Sequence, residues 1–188
     1  MNAPKDIPRQ EILDSTQIAE GVAELSRQIT SRCAGEEVAF IGIHTRGVTL
    51  ANRVAAELED SGFNYSLGTL DISLYRDDFD HRRGGLPSLA ASEIPFSLDG
   101  IRVILFDEVI FTGRTIRAAL DGLMDYGRPA KIELAVLVDR GHREIPVQPD
   151  YWAHRIDTTR EQYVKVCFRE DDEEEGVFLE TPRPHPAA

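Results

Sequence analysis

The chain has 188 residues, 41% of them hydrophobic, which suffices for one sizeable core and leaves little for a second. Its 21 basic and 33 acidic residues give a formal net charge of −12, which excludes a surface that attracts nucleic acid or an anionic membrane over its whole extent, but not a local basic patch. No apolar run approaches the roughly 20 residues that cross a bilayer, and the start, MNAPKDIPRQEILD, lacks the apolar stretch of a secretory signal. A cytoplasmic protein with no membrane partner is expected. Its two cysteines, Cys33 and Cys167, are too few for a disulfide framework and stand at no metal-ligand spacing, as suits a reducing compartment.

In chain order, Ile18, Val22, Leu25 and Ile29 recur at helical steps, with Asp14 and Gln17 placed as a capping pair in front of them. VAFIGI, Val38 to Ile43, is a short continuous apolar run of the kind found in strands buried on both faces. Ala51, Val54, Ala55 and Leu58 mark a second helix, stopped near Gly62, and a second strand is expected from Tyr65 to Leu74. The segment from Tyr75 to Glu93 is charged, contains glycine and has no apolar period, so it reads as a long loop. Arg102 to Phe106 is a buried-strand run that stops at two acids and a glycine turn. Ile116, Leu120 and Leu123 then line a helix closed by Gly127 and Pro129, and Lys131 to Val138 is another strand. The order is that of an α/β protein with a mostly parallel sheet, read as one domain over residues 1–188. In the tail, Val164, Val166 and Phe168 alternate with polar residues, and Val177 to Leu179 is placed to pair back across the turn Glu170 to Gly176.

That turn holds six successive carboxylates, Glu170 to Glu175, and is expected to be a solvated, self-repelling loop rather than a cation site. Five histidines, His44, His81, His142, His154 and His185, include no pair at ligand spacing, so no metal site built by the protein alone is expected.

In an open parallel sheet, ligands bind beyond the carboxyl ends of the strands. The informative residues are therefore His44 to Gly47, Asp107 to Thr115, and Asp139 to Arg143. In VILFDEVIFTGRT, Val103 to Thr115, glycine and small hydroxyl residues open a helix whose free N–H groups suit a phosphate, and two carboxylates just upstream suit the hydroxyls of a ribose. Paired acids at a buried strand end are costly without such a partner. GIHTRGV, Gly42 to Val48, has two glycines four residues apart, but Val48 stands where a nucleotide-triphosphate loop needs lysine. What remains is a tight turn with one arginine and backbone amides, fit for a second anion such as pyrophosphate.

VILFDEVIFTGRT resembles the phosphoribosyl pyrophosphate (PRPP) motif of type I phosphoribosyltransferases. LDISLYRDDF (Leu70 to Phe79), the HTRG turn, ALDGLMDYGRP (Ala119 to Pro129) and LAVLVDRGHREIP (Leu134 to Pro146) narrow the resemblance to the PyrR family. Members of that family are bifunctional pyrimidine operon attenuation regulators and uracil phosphoribosyltransferases, and the similarity covers about residues 10–180. It implies a type I phosphoribosyltransferase fold with a small hood, uracil and PRPP as substrates, UMP and diphosphate as products, and Mg²⁺ carried by PRPP. It also implies a homodimer or higher oligomer, and pyrimidine-operon mRNA as a regulatory partner. By the resemblance Thr45, Arg46 and Gly47 receive the pyrophosphate, and Asp107 and Glu108 hold the ribose hydroxyls. Val109, Ile110 and Phe111 continue the site to Thr112, Gly113, Arg114 and Thr115 at the 5′-phosphate. Arg140 and Val164 shape the uracil pocket, and Asp71, Tyr75, Arg76 and Asp77 begin a loop that closes over the substrate. Arg46, Asp107 and Glu108 are the residues expected to bear on catalysis.

The departures have a pattern of their own. Glu108 stands where the family usually has a second aspartate, and a loop-tip arginine of the family falls near Pro87, with Arg82 and Arg83 close by. YWAHRIDTT, Tyr151 to Thr159, replaces the family's YVGKNVPTS, and Ala19, Glu20 and Gly21 replace basic and hydroxyl residues that face RNA. Because RNA binding needs several cations on one face, these changes point to weakened or lost attenuation, with Arg27, Arg32, Arg143, Arg155 and Arg160 left to build a patch. Two other readings fit the same residues: a transferase for another base, since the phosphate and ribose sites do not read it, and a non-catalytic RNA-binding regulator that senses nucleotide.

Overall fold

The structure, a computed structural model, describes residues 8–75 and 91–182. Its strands are β1 (Arg9–Leu13), β2 (Val38–Ile43), β3 (Tyr65–Leu70), β4 (Arg102–Ile110), β5 (Lys131–Asp139), β6 (Tyr151–Arg155), β7 (Tyr163–Cys167) and β8 (Gly176–Glu180). The helices are α1 (Ser15–Cys33), α2 (Arg46–Leu58) and α3 (Arg114–Leu123), the last continued by a 3₁₀ turn over Met124–Tyr126.

Five strands form a parallel sheet in the order β3-β2-β4-β5-β6, and β1, β8 and β7 form a separate antiparallel sheet. The apolar runs are continuous because the large sheet is covered on both sides. Alternate residues go to opposite cores: Phe40, Ile104 and Phe106 pack with α1 and α2, while Ile41, Val103 and Leu105 pack with α3. The anticipated stripe Ile18, Val22, Leu25, Ile29 is buried, and α1 starts on the expected capping box. The Asp14 carboxylate accepts from the Gln17 N–H at 2.9 Å, and the Gln17 side chain accepts from the Asp14 N–H at 3.0 Å.

Two boundaries differ from the sequence reading, and two strands are additional to it. The strand expected to reach Leu74 stops at Leu70, because the Asp71 carboxylate accepts from the Ser73 N–H at 2.8 Å and turns the chain. β4 runs past Phe106 to Ile110, since β5 is long enough to pair with it as far as Asp139. β1 and β6 were not anticipated: RQEIL is mostly exposed and YWAHR does not alternate, so each is a strand by virtue of the partner it finds, β8 and β5 respectively. The predicted tail hairpin is present, with Val166 opposite Val177.

Candidate active site

The turns after β2, β4 and β5 gather at the carboxyl end of three neighbouring parallel strands. Gly47, in the first turn of α2, lies so close to the end of β4 that a β-carbon there would stand 2.4 Å from the Phe106 carbonyl oxygen and 3.2 Å from Asp107 Cα. Gly42 is similarly crowded by the Val48 backbone, at 2.4 Å from Cα. The glycines of GIHTRGV thus let the turn fold tightly and sit directly beside the acids. Thr45 is the N-cap of α2 but its side chain makes no capping bond.

Asp107 is buried and Glu108 half-buried. The sequence reading set both acids against one sugar from the end of a strand, whereas β4 continues through them. The alternation of β4 breaks at the acids: Phe106 and Val109 both pack in the α1/α2 core and Leu105 and Ile110 in the α3 core, so Asp107 and Glu108 sit at an irregularity of the strand. Asp107 Oδ1 accepts from the Glu108 N–H at 3.0 Å, while Glu108 acts electrostatically on Arg46 of α2. Beyond Val109 and Ile110, Gly113 caps α3 at φ 92°, a left-handed conformation that favours glycine, and the Arg114 N–H donates to Thr112 Oγ1 at 3.4 Å. The Thr112 carbonyl accepts from the N–H groups of Glu144 and Ile145 at 2.9 and 3.1 Å, which braces this loop from the next turn. The Arg114 Nε donates to Glu144 at 3.0 Å.

Arg140 is 5% exposed. Its guanidinium lies over the Phe111 ring at 4.0 Å, donates to the Thr159 carbonyl at 3.0 Å, and buries its Nε without a partner among the described residues. Burial pushes its pKa down, and only Tyr163 offsets this. Tyr163 adjoins Val164, which packs against the core from β7. A cleft of about 480 Å³ opens beside Arg140, between residues 139–143 and the segment 155–158 after β6. Phe111 thus ties the loop after β4 to the loop after β5, with His142 edge-on to its ring at 5.9 Å.

A phosphoribosyl transferase domain model matches residues 8–171. Bifunctional protein PyrR of Latilactobacillus sakei is 46% identical over 174 residues, covering 91% of this chain and 97% of its own. Bifunctional protein PyrR of Deinococcus radiodurans is 45% identical over 177 residues, covering 93% and 96%. The chain belongs to the PyrR family of phosphoribosyltransferases. Solved structures agree on the fold: a hypoxanthine phosphoribosyltransferase from Staphylococcus aureus superposes with TM-score 0.68 at 18% identity over 98% of each chain. A hypoxanthine phosphoribosyltransferase from Trypanosoma cruzi, in complex with the product IMP, gives TM-score 0.69 at 14% identity over 96% and 94%. The expected type I phosphoribosyltransferase architecture is thereby met, with the antiparallel sheet β1-β8-β7 standing where the hood was expected.

Against this PyrR-family frame the acidic turn is a correction. Glu170 to Glu175 is not a self-repelling solvated loop: α2 presents Arg46, Thr49 and Arg53 at helical spacing on one face, and the turn closes on them. Arg46 Nε and Nη2 donate to the two Asp172 oxygens at 3.0 and 2.7 Å, and Thr49 Oγ1 donates to Asp171 at 2.5 Å. Arg53 pairs with Glu170 at 2.6 Å and Glu175 at 2.5 Å, and Arg9 of β1 pairs with Glu174 at 2.6 Å. The hydrogen bond and charge of Arg46 hold the Asp172 carboxyl below its ordinary range against the opposing effect of burial; Arg53 does the same for Glu170. The sequence shows the six acids but not their cations, which lie more than a hundred residues earlier.

The basic residues left for an RNA patch are also differently placed. Arg143 is an internal brace: it donates to Asp139 Oδ1 at 2.6 Å and to the carbonyls of Phe111, Gly141 and Val147 at 2.9 to 3.1 Å. Arg27 pairs with Glu24, Arg32 donates to the Asp150 carbonyl, Arg155 lies over Trp152 and Arg160 pairs with Glu144. Gly21 is buried rather than outward-facing, set against His154, Leu137 and Ala153, so its lack of a side chain reflects helix packing, while Ala19 and Glu20 are exposed. Of the residues expected to begin a closing loop, Asp71 and Tyr75 form a fixed root. Tyr75 donates to Asp125 and packs over Gly122, and Asp71 is held by Ser73 and Ser92. Arg76 and Asp77 lie outside the described residues, as does most of the 75–93 segment.

Proposed function

We propose that this phosphoribosyltransferase joins uracil to PRPP, giving UMP and diphosphate, and that the whole chain acts as one domain. The observation that carries the reading is the packing of Gly47 against Phe106 and Asp107. It supports a reading in which the 45–47 turn takes the pyrophosphate, the two carboxylates the ribose and the glycine-capped mouth of α3 the 5′-phosphate, the order of these groups along PRPP. Breaking the anomeric bond builds positive charge on the sugar and negative charge on the leaving pyrophosphate. Asp107 and Glu108 favour the first through their field, while Arg46 and the backbone donors of residues 45–47 favour the second. Residues 112–115 fix the other end of the substrate.

No group of three potential metal ligands occurs among the described residues. Mg²⁺ would come with PRPP and supply charge at the pyrophosphate, with Asp107 and Glu108 the acids placed to face the sugar in this reading. Arg140, over Phe111, and Val164 of β7 are the residues that would border the base. A homodimer or higher oligomer and a cytoplasmic setting accompany this reading; among the described residues no helix is long and apolar enough to cross a membrane. Regulation through pyrimidine-operon mRNA is the second part of the proposal, supported by the bifunctional relatives and reduced by the internal placement of Arg143.

The test is turnover of a panel of bases with PRPP and Mg²⁺. Uracil is expected to be the preferred acceptor, with Asp107→Asn as control. Preference for hypoxanthine would replace uracil with a purine, and nucleotide binding without product from any base would remove the enzyme.

A further inference from the structure

We propose that Asp172 is the positioning residue of Arg46: it holds one edge of the guanidinium so that the other edge meets the departing pyrophosphate. The inference rests on the reading of Arg46 as the leaving-group arginine and goes beyond it by assigning a function to the acidic turn.

The geometry is that of a clamp. Asp172 takes Nε and Nη2 side-on, leaving Nη1 outside the pair. The carboxylate is itself fixed, since Oδ2 also accepts from the Phe168 N–H at 3.3 Å and its side chain is only 13% exposed. Its turn is pinned to the same helix by Thr49 and Arg53, so the clamp moves as one body with α2. The need for a clamp follows from what lies on the other side. Glu108 is the second carboxylate acting on Arg46. An untethered arginine would swing onto Glu108, which would remove the cation from the pyrophosphate and the carboxylate from the sugar at once. Asp172 prevents that collapse by satisfying the guanidinium from behind.

Steady-state kinetics of Asp172→Asn, Arg46→Ala and the double variant, with Asp172→Glu and Glu170→Gln beside them, decide the matter. Asp172→Asn is expected to lower kcat/KM for PRPP on the order of tenfold, less than the roughly 10²-fold or greater loss of removing a transition-state donor outright, which Arg46→Ala should show. The KM for uracil should be unchanged, Asp172→Glu should recover part of the loss, and the double variant should be no worse than Arg46→Ala alone. Glu170→Gln loosens the same turn through Arg53 and should leave kcat/KM within about twofold, which separates positioning from mere support of the hairpin. Asp172→Asn losses that persist in full on the Arg46→Ala background, or that Glu170→Gln reproduces, would overturn the proposal. An Arg46→Ala enzyme with unaltered PRPP kinetics would instead overturn the leaving-group role of Arg46 itself, and the clamp with it.

Discussion

Gly47 is pressed against the backbone of Phe106, leaving no room for a β-carbon, which would stand 2.4 Å from the carbonyl oxygen. The obstacle is main chain in a central strand and does not yield like a side-chain end. Gly47→Ala must therefore push the 45–47 turn off β4, and with it the anion site off the acids. The expected loss in kcat/KM for PRPP is on the order of 10²-fold, with a folding cost of about 1–3 kcal/mol. Initial rates against PRPP and urea unfolding check both. Gly35→Ala is the contrast: it strains a positive φ of 77° but meets nothing within 4 Å, so stability falls slightly and the kinetics stay put.

Asp107 is buried whereas Glu108 is half-buried within electrostatic reach of Arg46, so their isosteric amides should not behave alike. Asp107→Asn keeps an oxygen for the Glu108 N–H and should fold normally, yet it removes a buried charge beside the sugar, so kcat should fall on the order of 10²-fold with little change in PRPP binding. Glu108→Gln removes a half-buried charge on the side of Arg46, and its loss should be nearer tenfold. Equal losses from the two variants would mean that their difference in burial does not separate their roles.

Much of this site is readable without coordinates because it is built from local strings. Strand, turn and helix mouth follow one another in Val103 to Thr115, and apolar runs covered on both sides announce β2, β4 and β5. What stays hidden depends on distant partners. β1 and β6 carry no period of their own and become strands only at the edges offered by β8 and β5. The acids of Glu170 to Glu175 are plain in sequence, but the spacing of Arg46, Thr49 and Arg53 that receives them reads equally well as an ordinary solvated helix face. Arg143 was grouped with surface cations because a basic residue in a loop usually is one. Its fork instead closes on three carbonyls and Asp139.

That internal placement gives Arg143→Ala a distinct signature. It takes the cation from Asp139, 7% exposed, whose Oδ1 keeps the Gly141 N–H, and a donor from three carbonyls, so unfolding should move by about 1–3 kcal/mol whatever happens to RNA affinity. Loss of RNA binding with unchanged stability would return Arg143 to the surface.

Gly21 and Ala153 face each other where α1 crosses β6. A β-carbon at 21 would stand 3.1 Å from that of Ala153 and 2.9 Å from both Leu137 Cδ1 and His154 Nε2. Gly21→Ala should cost about 1–2 kcal/mol despite the better helix propensity of alanine. Adding Ala153→Gly, which vacates one side of the contact, should recover part of the loss, and the non-additivity in a thermal unfolding cycle measures it. A stabilised single variant would show that α1 moves away from β6 at little cost.

The acidic turn also sets a pH dependence whose sign is determined. Hydrogen bonds from Arg46 and Arg53 depress the carboxyls of Asp172 and Glu170 below their ordinary values of 3.8 and 4.5. A depressed folded-state pKa means that the unfolded chain binds protons first. The stabilisation is therefore complete above the ordinary range and is lost as pH falls through it towards the folded values. At pH 7 the double variant Asp172→Asn, Glu170→Gln should be less stable than the parent by about 1 kcal/mol, a small figure because Glu170 is half-exposed and its pair is screened by solvent. The gap should narrow as pH falls from about 4.5 towards the folded-state values, as the parent protonates the same two groups. Urea midpoints between pH 7 and 3 give the comparison directly. A gap that stays constant across the range would mean that the turn is held by packing alone, without its ion pairs.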